Sequence, residues 1–286
     1  MSRQVIDTVT DNGTYKGDPA KVAFEKSNSN FEELYNTDAQ LASDIEELDA
    51  LVGALLTDAV QLIIGFKMIH VGPNSLTISA GVAFVPGLNK RVVLSAASAK
   101  TGIVVPAGTW LHGYVFESAP GVADAEWSTI APAAPYSGTA RTKTGDTTRR
   151  YIGSVRSGAA NVIYKFKHVL ADGSVTYDEN TAVAPFVLVS AGTATSATAV
   201  SAAAVVPLTG VKLSATILNA ATGAYLHISN SAGPVAGSGF ITMASPGGLS
   251  ATSIPLDGSQ QYTYAYETSP GAGASYQRAN GYTFER

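Results

Sequence analysis

Leucine recurs at every seventh position through Leu34, Leu41, Leu48, Leu55 and Leu62, and a second row of Phe24, Phe31, Asp38, Ile45, Val52 and Ala59 stands three residues ahead of it. Rows spaced alternately by three and four residues share one face of a helix and mark the a and d positions of a heptad repeat. An apolar seam of this kind needs other helices to cover it. The pattern therefore predicts an α-helical, self-associating coiled-coil stalk over 18–65, with Phe24, Phe31, Leu34, Leu41, Ile45, Leu48, Val52, Leu55 and Leu62 as its oligomerisation residues. Asp18 before Pro19 is the start signal, since the carboxylate caps an orphan N–H and proline tolerates the first helical position. Gly65 closes the run. Inside it, Asn36-Thr37-Asp38 joins three poor helix formers. Asp38 either caps a second helix after a break or is a buried polar residue that sets register, and the break is the preferred reading. Strand number stays open, because Ile45 and Val52 at a with leucine at d favour two helices, while Leu51, Leu56 and Ile63 widen the stripe towards three.

Beyond Phe66 the period shortens. Segments 67–71, 75–84, 91–94, 102–105 and 110–117 are short, rich in Val, Ile, Thr and aromatics, and punctuated by Gly72-Pro73, Pro86-Gly87 and Pro106-Ala107-Gly108, which predicts a β-rich module over 66–189. Segments 148–156 and 161–168 read as a hairpin closing that module. Residues 190–206 are almost wholly Ala, Ser, Thr, Val and Gly, a composition that suits a linker or an extended strand packed inside an oligomer, and 190–206 is assigned as the linker. Segments 211–218, 224–229, 240–244, 261–267 and 281–285 then predict a compact C-terminal β-sandwich over 207–286. Residues 1–17, with Asp11-Asn12-Gly13 as a turn, form an extended arm without a core of its own. The fold class expected from the pattern is mainly β with an N-terminal α-helical coiled coil, in an elongated self-associating assembly.

Composition narrows the possibilities. A hydrophobic share of 45% against 14% charged residues excludes a disordered chain, and the absence of cysteine removes disulfides and thiolate metal sites. The net charge of -4 is uneven: residues 1–64 hold 12 Asp and Glu against 4 Lys and Arg, the remainder 10 against 14. A mildly basic body of this kind lacks the concentrated positive face of a nucleic-acid binder. Met1–Asp7 has no apolar core of signal-peptide length, and the most apolar helical run, 51–66, contains Asp58 and Gln61 and falls short of the roughly 20 residues of a membrane span, so membrane insertion is not expected.

The chain carries no nucleophile elbow, phosphate loop, His-Glu-x-x-His helix or calcium loop. His70, His112, His168 and His227 are scattered singly. No resident metal or cofactor is therefore expected, although one histidine per chain suffices for a metal shared on a trimer axis. Glu117, Asp124, Glu126, Asp172, Asp178 and Glu179 are too sparse to suggest a two-carboxylate glycosidase, and no enzyme activity is expected. Two clusters have ligand chemistry. Arg149 and Arg150, with Arg141, Lys143 and Arg156, surround a Thr-rich loop and suit phosphates or an acidic partner, or else are solvated strand-end charges. Tyr262, Tyr264 and Tyr266 alternate along one strand and suit sugar stacking, or else half-buried packing.

The run Gly17-Asp18-Pro19-Ala20-Lys21-Val22-Ala23-Phe24-Glu25-Lys26-Ser27-Asn28-Ser29-Asn30-Phe31-Glu32-Glu33-Leu34-Tyr35 resembles the N-terminal segment of tail-fibre and related virion-attached proteins of tailed bacteriophages, whose pattern is Gly-Asp-x-x-x-x-Ala-Phe-x-Lys-x-Asn-x-Asn-Phe-x-Glu-Leu-Tyr. Ser27 stands where that family commonly has an apolar residue. Arg150-Tyr151-Ile152-Gly153-Ser154 is similar to a shorter Arg-(Tyr/Leu)-(Leu/Ile)-Gly-Ser segment of the same fibres. The resemblance implies virion docking through Asp18, Pro19, Phe24, Asn30, Phe31 and Tyr35, a homotrimer, and virion tail or baseplate proteins as partners. It implies a structural subunit of the virion tail, assembled in the host cytoplasm, that presents its β domains to a host-surface glycan. The alternative is an adaptor whose C-terminal domain docks another fibre protein. A glycan-degrading tailspike ranks third, since no solenoid repeat is visible.

Overall fold

The computed structural model describes residues 5–11, 13, 14, 16–230 and 242–286, without the side chains of 49–58, 242 and 243. The side chains of Val52 and Leu55, and residues 240 and 241 of one expected strand, lie outside this description. The chain divides into two units, Met1–Ala59 and Val60–Arg286.

The first unit holds most of one 42-residue α-helix, Ala20–Gln61. The expected break at Asn36-Thr37-Asp38 does not occur. Thr37 turns its hydroxyl back onto the helix, donating to the Glu33 carbonyl at 2.7 Å, and Asn36 and Asp38 are exposed, where water satisfies them at little cost. The coiled coil predicted from the heptads is not found either. This helix is the only α-helix among the described residues, and the large apolar seam side chains described on it, Phe24, Phe31, Leu34, Leu41, Ile45 and Leu48, are all more than half exposed. A heptad pattern states that a stripe needs cover. It does not state that the same chain supplies the cover.

Among the described residues the second unit is built from β-strands in four sheets. The separate C-terminal β-sandwich is a second correction, because the largest sheet crosses the expected domain boundary. Its nine strands run in the order Leu249–Pro255, Gly210–Asn219, Ser275–Phe284, Ser174–Tyr177, Phe166–Val169, Met68–Gly72, Ser75–Ile78 and Ser98–Lys100, with Val187–Gly192 also paired to Ser275–Phe284. The strand Ser275–Phe284 is thus the seam: it pairs Tyr282 with Leu213 on one side and with Val175 on the other. Local alternation shows which residues face inwards, whereas partner choice across a hundred residues leaves no mark in it.

The predicted 148–168 hairpin is met only at its turn, where Ser157 bridges Ile163 and the Tyr164 N–H donates to Arg156 O at 3.0 Å; beyond it the two segments part. Asp146–Arg156 pairs with Trp110–Ala119 in a four-stranded sheet, while Phe166–Val169 belongs to the large one. Residues 190–206 are not a linker: Thr198–Ser201 pairs antiparallel with Gln261–Tyr266, and Val200, Ala202, Val205 and Val206 sit in the main core. Small and β-branched residues are used there as filler between sheets. That core is continuous from Met68 to Phe284. A smaller cluster of Phe66, Ile78, Ala83, Val85, Val92 and Ile152 lies beside the three-stranded sheet Ile63–Gly65, Gly81–Val85 and Lys90–Leu94.

Candidate functional site

The residues that carry the resemblance form a clasp. The arm folds back on the helix start through two backbone bonds, Gly17 N–H to Thr10 O and Asp18 N–H to Asp7 O, both 2.7 Å. Asp18 Oδ2 then accepts from the Asp7 N–H at 2.8 Å and from Lys26 Nζ at 2.7 Å, and the same ammonium donates to the Val5 carbonyl at 3.1 Å. Lys26 lies two helical turns into the helix, so arm, turn and helix are tied by one ion pair. The Asp18 carboxylate therefore holds the arm and Lys26 instead of capping an N–H of the first helical turn, the role the sequence pattern predicts. The Lys26 ammonium, followed by the Asp7 N–H, holds the Asp18 carboxyl below its ordinary range. Bonds from Thr10 and Val9 lower that of Asp7 to about 2.

Gly17 has φ +77°, and a Cβ there would stand 2.3 Å from the Asp7 carbonyl oxygen. Only glycine allows the arm to approach so closely. Pro19 is exposed, Asn30 is half-buried, and Tyr35, like Phe24, is 71% exposed. Beyond the clasp, Phe24, Phe31, Leu34, Leu41, Ile45 and Leu48 leave an apolar row open along the helix, and Leu62 is half-buried. A row this long is unusual on a surface that contacts only water.

In the second unit the basic cluster is mostly consumed internally. Arg149 pairs with Glu126 at 3.3 Å and Asp146 at 2.8 Å and lies 4.7 Å over the Phe116 ring, and Lys143 also pairs with Glu126 at 2.7 Å. Arg150 is fully buried, donates from Nη1 to the carbonyls of Arg141 and Tyr151, and stands 5.7 Å from the Tyr136 ring. Burial lowers its pKa to about 10. Arg150 is not placed to meet a ligand at the surface, and the partly exposed Arg149 is already paired with two carboxylates. Arg156 is separate from this group.

The tyrosine row is packed inside. Tyr262 and Tyr266 are fully buried and Tyr264 is 7% exposed. Tyr262 donates to Gln277 Oε1 at 2.5 Å and Tyr266 to Asn219 Oδ1 at 3.0 Å, while Asn219 Nδ2 caps the carbonyls of Ala224 and Ala244. These rings tie the sheet formed by Thr198–Ser201, Gln261–Tyr266, Leu226–Asn230 and Thr242–Ala244 to the large one and offer no stacking face.

A polar group that sequence reading passed over lies between sheets. Tyr151 OH bonds both Ser154 Oγ and Thr209 Oγ1 at 2.7 Å, His112 Nδ1 bonds the same Ser154 Oγ at 2.7 Å, and Tyr282 OH donates to the Ser154 carbonyl at 2.5 Å. The His–Ser pair has the spacing of a nucleophile and base. Ser154 is fully buried and His112 nearly so, which leaves no room for a substrate, and burial lowers the His112 pKa to about 4. The network is structural. His168 is held likewise, with Nδ1 accepting the Met68 N–H at 3.0 Å.

A cleft of about 390 Å³ opens where Met68–Gly72 meets Phe166–Val169, with Lys67, Lys165 and Lys167 on its lining and Asp178 as the one carboxylate there. Lys167 lies in one of these strands and Lys67 and Lys165 just before them, and the two strands, far apart in sequence, pair only at Lys167 and Ile69, so no local pattern announced the group. Among the described residues no three His, Cys, Asp or Glu side chains gather as a metal site, and no helix is long and apolar enough to cross a membrane. No protein-family model matches the chain, and no curated protein matches it.

Proposed function

We propose that the chain is a structural subunit of a bacteriophage tail, docked to virion tail or baseplate proteins through its arm and helix start, self-associated as a homotrimer, and presenting its β unit to the host surface. The clasp carries this reading: the Gly-Asp pair and the lysine eight residues on, which are the residues of the resemblance, are the ones that tie the arm down. The open apolar row beyond it supports association with other chains. Three copies held together raise the effective concentration of a weak surface site without any new contact.

Substituting Asp18→Ala removes the acceptor shared by Asp7 and Lys26 and frees the arm. It is expected to lower affinity for purified tail or baseplate proteins about tenfold or more, as loss of a charge-assisted hydrogen bond at an interface does, while thermal melting of the β unit is unchanged. Light scattering on the full chain should give about three times the 29.4 kDa chain mass. A monomer at micromolar concentration would sink the assembly part of the proposal, and no binding by the unaltered chain would sink the docking part. Capture of another fibre protein by the β unit, without host-surface binding, would replace the adhesin with an adaptor.

A further inference from the structure

The strand Asp146–Arg156 ends on a guanidinium that the fold leaves without a counter-ion. Arg156 lies over the ring of Trp110, its neighbour across the strand pair, at 5.4 Å. Among the described residues it forms no ion pair and donates no side-chain hydrogen bond, and its buried Nε has no acceptor. Guanidinium groups removed from water normally have acceptors, because an unpaired donor costs what its hydration was worth.

This side chain lines a cleft of about 330 Å³ with Ala107, Gly108, Ala159, Tyr164 and Pro185. Its walls are fixed. Ser157 Oγ bonds the Pro106 carbonyl at 2.5 Å and the Thr109 N–H at 2.8 Å, and Gly108 N–H donates to Gly158 O at 3.1 Å. The Tyr164 ring packs edge-on against Phe186 at 4.9 Å and covers Gly158, where a Cβ would come to 3.0 Å of the ring. The cavity is therefore open, apolar on most sides and supplied with one unpaired cation and one aromatic ring.

We propose that this cleft binds a carboxylate carried on a single sugar ring, as in a uronic acid, with the Arg156 guanidinium pairing the carboxylate and Tyr164 lying against the ring. The planar fork of arginine matches a carboxylate bidentately. A lone cation, with no lysine among the lining residues, suits a monoanion better than a phosphate dianion. Tyrosine and the alanine, glycine and proline walls suit the C–H face of a sugar, and the volume, at the lower end of ligand pockets, holds one ring. The inference supplies a ligand class for the surface attachment proposed above and rests on that reading for its biological sense. Binding of the sugar acid and docking to virion proteins are measured separately, so either can fail alone.

Calorimetric titration of the full chain with glucuronate, glucose and inorganic phosphate tests it. Glucuronate should bind at least tenfold more tightly than either of the others. Arg156→Gln should weaken glucuronate binding tenfold or more without changing glucose binding, and Arg156→Lys should restore only part of it. Should Arg156→Gln fail to fold, Ala159→Trp fills the exposed side of the cleft while leaving the guanidinium in place, and should abolish binding. Equal binding of glucose and glucuronate, equal binding of phosphate, retention of affinity in Ala159→Trp, or no glucuronate binding at all would each overturn the assignment.

Discussion

Gly281→Ala is expected to separate the two halves of the β unit. Gly281 lies in the strand Ser275–Phe284 opposite Thr176 on one side and Ser214 on the other. A Cβ there would stand 2.1 Å from the Val175 carbonyl oxygen and 3.0 Å from the Thr176 Cα. Both obstacles are backbone, so neither can swing aside. Relief requires Ser174–Tyr177 to move off its partner, which breaks the ladder joining 66–177 to 207–286. Overpacking of this kind costs on the order of 3 kcal/mol or more, and in a unit of this size that is a fall in Tm of roughly 10 °C. Gly223→Ala is the control, since a Cβ there meets nothing within 4 Å, and its Tm should stay within about 2 °C of the parent. A Gly281→Ala chain that melts with the unaltered one would refute the place of Ser275–Phe284 between the two halves of the largest sheet.

Acid should destabilise the fold well before the carboxylates titrate. His112 is 5% exposed and His168 2% exposed, and burial lowers the pKa of each from 6.5 to about 4, with Arg286 and Lys67 adding to the effect at His168. The Met68 N–H bonded to His168 Nδ1 fixes the proton on Nε2 and leaves that ring no second proton site without breaking the bond. Between pH 6.5 and about 4 the unfolded chain binds protons at these two imidazoles that the folded chain does not. Stability is therefore complete above about pH 6.5 and falls as pH drops through that window, by up to about 3 kcal/mol for each histidine. Asp7 and Asp18, whose pKa values are depressed, lose their contribution only below about 3.8, and Glu117 begins to lose its own near 4.5, so most of the difference between denaturant melts at pH 7.5 and 4.5 belongs to the histidines. Replacing both His112 and His168 by glutamine should flatten the difference. An unaltered chain as stable at pH 4.5 as at 7.5 would contradict the buried neutral pair.

The helix was legible because its signal is local. Seven-residue spacing, Asp18-Pro19 and the absence of proline from Ala20 to Ile64 all act within a few turns, and even Asn36-Thr37-Asp38 is a local question, with Thr37 bonded to the Glu33 carbonyl and its two neighbours exposed. Most β segments were legible for the same reason, from alternation and turn residues. The pairing was not. Nothing near Tyr282 in sequence states that it faces both Leu213 and Val175, and a low-complexity run such as 198–206 looks like a linker until its partner strand Gln261–Tyr266 is known. The candidate site divides in the same way. Gly17, Asp18 and Lys26 could be singled out because they lie within ten residues. Arg156 was grouped with Arg149 and Arg150 by proximity along the chain, yet Arg149 is paired by Glu126 and Asp146 and Arg150 is fully buried with Nη1 on two carbonyls, while Arg156 has no such partner and lines an open cleft. Exposed tyrosines and packed ones share the same alternation, so Tyr262, Tyr264 and Tyr266 were ambiguous until burial was known.

The position of Ser275–Phe284 inside the largest sheet also sets an order in time. Its neighbours Gly210–Asn219 and Ser174–Tyr177 cannot be joined until this strand has been synthesised, so both present unpaired edges while the ribosome is still adding residues. Closure is a late, long-range event, and chains rich in such contacts fold slowly. Until it happens the nascent β unit offers open strand edges to other copies made on the same message, and rapid completion of one strand guards against that hazard.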